Sequence, residues 1–241
     1  MPWTRITSGL IAITIALTAI ILGGWFFVLG IAVTMFLAKQ EYFRMVNAKG
    51  IEPSVKTTII FSQILLIVAA IAPTYTDVMF CISGTVICFY LLFKPKLATI
   101  ADISTSILGL FYLGYLPSYW IRLRVGLDVN FDAFQFEILK EIPKFLLTLN
   151  DIPYALIVTL LVMACIWAAD IGAYFMGKWF GKTKLSHISP KKTVEGAIFG
   201  FLGSVIVGEL GAWYLGWNYW MMSGLILGLL IGTTSLLGDL T

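Results

Sequence analysis

Between residue 6 and residue 237 the chain carries a succession of apolar runs, some close to the thickness of a lipid bilayer and several shorter, which leaves it few ways to fold. A hydrocarbon core of about 30 Å takes roughly 17 to 25 mostly apolar residues as a helix, and a backbone in lipid must pair its own N–H and C=O groups. The runs fall at 6–22, 25–37, 58–72, 78–93, 106–121, 154–169, 197–215 and 219–237. Nowhere do apolar and polar residues alternate as they would along a membrane barrel strand. The expected fold is all-α, a polytopic integral membrane protein of about eight transmembrane helices. A 59% hydrophobic composition and a mean hydropathy of +0.93 are more than a soluble domain could cover.

Gly23-Gly24 divides the first two runs into a tight hairpin, and Pro73, the segment Lys94-Pro95-Lys96 and residues 216–218 interrupt the later ones. Cytoplasmic loops of membrane proteins hold excess Lys and Arg. With the N-terminus cytoplasmic, the inner segments collect Arg5, Lys39, Arg44, Lys49, Lys56, Lys94, Lys96, Lys178, Lys182, Lys184, Lys191 and Lys192 out of 16 cations. Arg122, Arg124, Lys140 and Lys144 stay outside. Three regions follow: N-terminal transmembrane helices over 1–121, an extracytoplasmic loop over 122–153, and a transmembrane region over 154–241 with a cytoplasmic loop at 170–196. Apolar positions at helical spacing over 131–149 read either as an amphipathic surface helix or as a solvated connector.

Arg5 precedes a long apolar run, but no small-residue cleavage site leads into a polar region, so the first helix is expected to remain. Cys81, Cys88 and Cys165 sit in apolar runs without a CxxC or a neighbouring His and read as buried small apolar residues; no disulfide is expected. The net charge of +3 comes from the cytoplasmic segments rather than from a basic, aromatic-interleaved surface, so no nucleic acid partner is expected.

The polar island from Asp170 to Gly196 carries five of the lysines and most of the chemistry. Ser189-Pro190 reads as an N-cap followed by proline at the first helical position, with the helix running through Lys191, Lys192, Thr193 and Glu195. Such a helix start aims free backbone N–H groups, the positive end of a dipole and two lysines at the cytosol, a setting for a phosphate. Gly196 leaves room there for close packing or a ligand. The other reading makes the lysines headgroup anchors, with Glu195 pairing with Lys191.

Asp170 follows an apolar run at the expected end of a helix, where the dipole disfavours a carboxylate. Asp239 holds the equivalent place after the last run. Two carboxylates near a phosphate call for a divalent cation, and Mg2+ takes one or two carboxylates plus phosphate oxygens; otherwise each aspartate simply ends its span in water. Lys178 and Lys182 extend the basic island among Gly172, Gly177 and Gly181, in a pattern that is not a P-loop. His187 reads as a surface residue, and Glu209 as an intramembrane acid suited to helix–helix hydrogen bonding.

Residues 167–174 (Trp-Ala-Ala-Asp-Ile-Gly-Ala-Tyr), Gly177-Lys178, Gly181-Lys182, residues 189–196 (Ser-Pro-Lys-Lys-Thr-Val-Glu-Gly) and the closing Gly238-Asp239-Leu240-Thr241 stand in an order and spacing that resembles the bacterial phosphatidate cytidylyltransferases, or CDP-diacylglycerol synthases. Glu41, after the second run, fits the same resemblance. It implies a magnesium-dependent nucleotidyltransferase of phospholipid biosynthesis. The phosphate of phosphatidate attacks the α-phosphorus of CTP, pyrophosphate leaves, and CDP-diacylglycerol forms. It also implies that Lys192 and Thr193 contact phosphate, with Ser189, Lys191, Gly196, Lys178 and Lys182 around them, and that Asp170 and Asp239 serve the metal. A multi-pass protein of the inner (plasma) membrane with its site facing the cytoplasm is expected, surrounded by membrane lipids and able to form a homodimer. The family signature continues beyond a Gly-Asp-Leu segment into further carboxylates, so these 241 residues are expected not to turn over by themselves. CTP-dependent lipid kinases share a Lys-Lys-Thr/Ser-x-Glu-Gly element and remain an alternative, as does a non-enzymatic transporter or scaffold, although no convincing internal repeat supports transport.

Overall fold

The computed structural model describes residues 2–93, 98–126, 153–185, 189 and 192–238, and over residues 2–6 the backbone only. The loop reading for 131–149, together with His187, Pro190, Lys191 and Asp239, lies outside the described residues. The chain divides into two compact units, residues 1–156 and 157–241.

The first unit is built from α1 (Pro2–Leu22), α2 (Gly24–Ala48), α3 (Val55–Ile71), a 3-10 turn at Pro73–Tyr75, α4 (Thr76–Leu92), α5 (Ile100–Leu110), a π-helical segment at Phe111–Tyr115 and α6 (Leu116–Gly126). The hairpin between α1 and α2 turns on Gly23, whose φ of +64° belongs to the left-handed region. Glycine is needed there for a second reason, since a Cβ would collide with the Arg124 guanidinium. That guanidinium is buried and caps the C-terminal end of α1, donating from Nε to the Ile20 carbonyl at 2.8 Å and from its second terminal nitrogen to Ile21 at 3.3 Å. Arg124, expected in an outer loop, is thus a structural cation on α6: the helix runs past residue 121 and ends only at Gly126. At the opposite end of the unit, Thr99 and Asp102 form a capping box at the start of α5, and Asp102 Oδ1 also accepts from the Glu52 N–H at 2.6 Å, tying the α2–α3 loop down.

The second unit comprises α7 (Tyr154–Phe180, whose first residues precede the boundary), α8 (Val194–Tyr214) and α9 (Trp220–Gly238). Beside buried Val158, Leu161 and Cys165 of α7, much of its core is close backbone approach. On α8 the buried residues are Gly196, Ala197, Gly200, Ser204, Gly208 and Ala212, a strip of small residues one helical turn apart. A Cβ on Gly200 would lie 2.8 Å from the Ala169 carbonyl oxygen, and one on Gly203 would lie 2.9 Å from that of Ala168. On the other side a Cβ on Gly208 would meet the Gly224 carbonyl at 2.6 Å, and one on Gly228 would run into the Val205 backbone. Neighbours numbered upward on α8 are numbered downward on α7 and α9, so both contacts are antiparallel. The C-terminal end of α7, the N-terminal end of α8 and the C-terminal end of α9 therefore share one end of the unit.

Among the described residues, six helical stretches are long and apolar enough to cross a membrane: Gly24–Ala48, Pro73–Leu92, Ile100–Val125, Tyr154–Phe180, Val194–Tyr214 and Trp220–Gly238. Two shorter apolar helices, Thr7–Leu22 and Val55–Ile71, accompany them. The protein is an all-α polytopic membrane protein. Of the cysteines only Cys165 is buried as expected; Cys88 is half-buried, and Cys81 is exposed on the outer face of α4, where an apolar environment satisfies a thiol as well as a core does.

Candidate functional site

At the shared end of the second unit a cavity of about 490 Å3 opens between α7, the start of α8 and the end of α9. Asp170, Lys178, Lys192, Thr193 and Gly196 line it, together with Ala173, Tyr174, Gly177, Leu185, Ala197 and Leu236. Five residues singled out by the sequence thus meet at one place.

The local structure that brings them there differs from the expectation in three respects. First, α7 does not end at residue 169 but continues to Phe180, so Asp170 lies within a helix rather than at its end. Along that helix Asp170, Ala173, Tyr174, Gly177 and Lys178 recur at three- and four-residue spacing and form a single stripe, which is why all five reach the cavity. The glycines of the island are contact points: a Cβ on Gly177 would stand 3.0 Å from Thr193 Oγ1, and one on Gly181 would stand 2.6 Å from the Thr193 methyl. Second, the N-cap of α8 is Thr193, not Ser189. Thr193 has extended backbone (φ −120°, ψ 151°), and its Oγ1 accepts from the Gly196 N–H at 3.2 Å. The helix cannot start earlier because residues 192–194 are engaged in a short antiparallel pairing. In it the Leu185 N–H donates to the Lys192 carbonyl at 2.9 Å, and the Val194 N–H donates to the Thr183 carbonyl at 2.9 Å.

Third, the backbone donors expected to face a phosphate are partly spent, Val194 N–H on Thr183 and Gly196 N–H on the Thr193 hydroxyl. The donors left at this end are the lysine side chains and the Thr193 O–H, whose proton is not used by the cap. Lys192 is half-buried at the cavity wall, and Lys178 is exposed at its rim. Lys182 is exposed and does not line the cavity; Ser189 contributes its carbonyl to the Lys192 N–H at 3.1 Å and does not line it either. Glu195 accepts from Thr183. Glu209 lies along α8 with its backbone against Gly224 of α9, distant in sequence from every lining residue of α8.

Asp170 accepts a hydrogen bond from Ser235 Oγ of α9 at 3.1 Å. Ser235 and Leu236 were not singled out from the sequence, although Ser235 stands only four residues before Asp239. Tyr174 and Leu185 were also missed. Reading residues 170–180 as helix instead of loop would have found Tyr174; Leu185 carries no signal of its own and arrives through the pairing with Lys192. Among the described residues no group of three or more His, Cys, Asp and Glu side chains comes together. One carboxylate beside a lysine-lined cavity is nevertheless a set that Mg2+ accepts where a ligand's phosphate oxygens and water complete its shell.

Comparison with known proteins places this constellation in context. A model of the "Cytidylyltransferase family" matches residues 3–241. A phosphatidate cytidylyltransferase of Synechocystis sp. is 57% identical over 242 residues, covering 100% of this chain and 83% of its own length. The chloroplastic phosphatidate cytidylyltransferases 4 and 5 of Arabidopsis thaliana are each 33% identical, over 92% and 98% of this chain and 58% and 61% of their own. No solved structure matches the chain significantly. The match from the first helix through the lysine-bearing start of α8 to the end of α9 leaves one assignment: the chain belongs to the cytidylyltransferase family.

Proposed function

We propose that this protein takes part in joining phosphatidate to CTP, giving CDP-diacylglycerol and pyrophosphate, and that the cavity at the end of α7, α8 and α9 is where the nucleotide's phosphates bind. The observation that carries the reading is the convergence of Lys178, Lys192, Thr193 and Asp170 on one cavity within a bundle of apolar helices. Displacement at phosphorus asks the protein for positioning and charge neutralisation more than for covalent help. Lys192 supplies charge from a half-buried position, where it is screened less than a surface lysine would be. Lys178 extends that charge to the rim, and the Thr193 hydroxyl offers a donor between them. The apolar wall of Ala173, Ala197 and Leu236 suits the lipid side of the reaction.

Asp170, with Asp239 as its expected companion, would hold Mg2+. When bound, that ion neutralises phosphate charge and makes the α-phosphorus more electrophilic. The same reading puts the protein in the plasma membrane with the cavity facing the cytoplasm, where CTP is found, and allows a second copy as its partner.

Equilibrium binding of labelled CTP to the protein in phosphatidate-containing nanodiscs tests the site. Lys192→Ala should weaken binding by about tenfold or more, the loss expected for one charge-assisted phosphate contact. Unchanged affinity would make Lys192 a headgroup anchor and remove the cavity as the phosphate site. In membranes that support turnover, label in the α-phosphate of CTP should reach the lipid product and label in the γ-phosphate should not. The opposite pattern would identify a kinase.

A further inference from the structure

The segment that presents Lys192 is fastened at its base by a single side chain. Thr183 donates its backbone N–H to both carboxylate oxygens of Glu195, at 3.2 Å each, and its Oγ1–H to Oε1 at 2.9 Å. The Val194 N–H returns a bond to the Thr183 carbonyl, and the Leu185 N–H to the Lys192 carbonyl forms the next rung. A pairing this short has too few bonds and too little buried surface to hold its shape alone. Below it, Gly181 passes directly against Thr193, so among the described residues that contact, the two backbone bonds and the Glu195 clasp fix the segment on the start of α8. Glu195 itself does not line the cavity.

We infer that Glu195 is a positioning residue: its carboxylate latches Thr183 to the first turn of α8 and thereby sets where Lys192 stands, and it touches neither the phosphate nor a metal. An acid inside a phosphate-binding motif would otherwise be assigned to the metal or to proton transfer. Here both of its oxygens are turned to Thr183, and the carboxylate lies in the first turn of a helix, where the dipole favours it without any ligand. The inference rests on the phosphate reading for its functional consequence and on the hydrogen bonds alone for its structural one.

The experiment follows those two parts separately, in wild type, Glu195→Gln, Glu195→Ala and Thr183→Ser chains in nanodiscs. Amide hydrogen exchange over residues 183–194 is measured without nucleotide, and CTP affinity is measured on the same samples. Glu195→Ala should speed exchange of the Leu185 and Val194 amides and weaken CTP binding by about tenfold. Glu195→Gln, whose side-chain oxygen still accepts from Thr183, and Thr183→Ser, which keeps both donors, should remain within about threefold of wild type in both readouts. If Glu195→Gln damages CTP binding as much as Glu195→Ala while leaving exchange at the wild-type rate, the carboxylate's charge acts on the ligand and the latch is wrong. Exchange unaffected by Glu195→Ala also refutes it. Should the wild-type chain bind no CTP, the proposed function fails, and the exchange comparison still decides whether Glu195 is a latch.

Discussion

Asp170 is an exposed acid in the middle of a helix, with a serine hydroxyl at 3.1 Å and two lysines lining the same cavity. Left alone with phosphates it would repel them; with a divalent cation it attracts them. Asp170→Asn is therefore expected to raise the Mg2+ concentration needed for half-maximal CTP binding by about tenfold, while binding in the absence of metal stays equal or tightens because a negative charge has gone. A Mg2+ titration at fixed CTP measures both, and an unaltered midpoint would free Asp170 from any metal role. This residue was visible in the sequence as a lone acid closing an apolar run. The cap of α8 was not. Ser189-Pro190 and Thr193 both carry cap chemistry, and the choice between them is made by the Val194 N–H donating to the Thr183 carbonyl, eleven residues away, and the Leu185 N–H donating to the Lys192 carbonyl, seven residues away, which no local pattern encodes.

At the level of elements, hydropathy located the helices well wherever an apolar run ended in a turn residue, as at Gly23, Pro73 and Gly216. It failed where a helix continued into polar sequence. Both α2, which runs to Ala48, and α7, which runs to Phe180, extend eleven residues past the apolar stretch that announced them (37 to 48, 169 to 180). Lysines, tyrosines and glutamates are good or tolerable helix formers outside the bilayer, so loss of hydrophobicity does not mean loss of helix. In α7 the glycines encouraged a loop reading, but their lack of a side chain serves the approach of Thr193 and of α8. The α1–α2 hairpin is the element whose demands were plainest. Gly23→Ala would place a side chain at positive φ and against Arg124, costing about 1–3 kcal/mol and lowering the thermal unfolding midpoint in detergent. A wild-type midpoint would mean that Arg124 does not cap α1 as described.

On the scale of the molecule, the two units are held together internally in different ways. The first has the usual buried side chains, with Phe43, Leu65, Leu66, Ile87, Leu91 and Leu110 nearly or fully inaccessible. The second adds backbone meeting backbone along Gly196, Gly200, Gly203 and Gly208 of α8, and Gly224 and Gly228 of α9. Lipid tails are as apolar as leucine, so close approach and dispersion must supply the association that water supplies elsewhere. Gly228→Val should cost about 1–3 kcal/mol of unit stability, since no rotamer can relieve a clash with the Val205 backbone; thermal aggregation in detergent reports it, and Gly9→Val, with open space around its Cβ position, serves as the control.

The close seam between α7, α8 and α9 has a consequence for an enzyme that lives in the material it helps to make. Where glycine brings their backbones into contact, the three rods have little freedom to slide or splay when acyl composition shifts or the leaflet thins. They tilt together, and the spacing between Asp170 and the lysine hairpin travels with them unchanged.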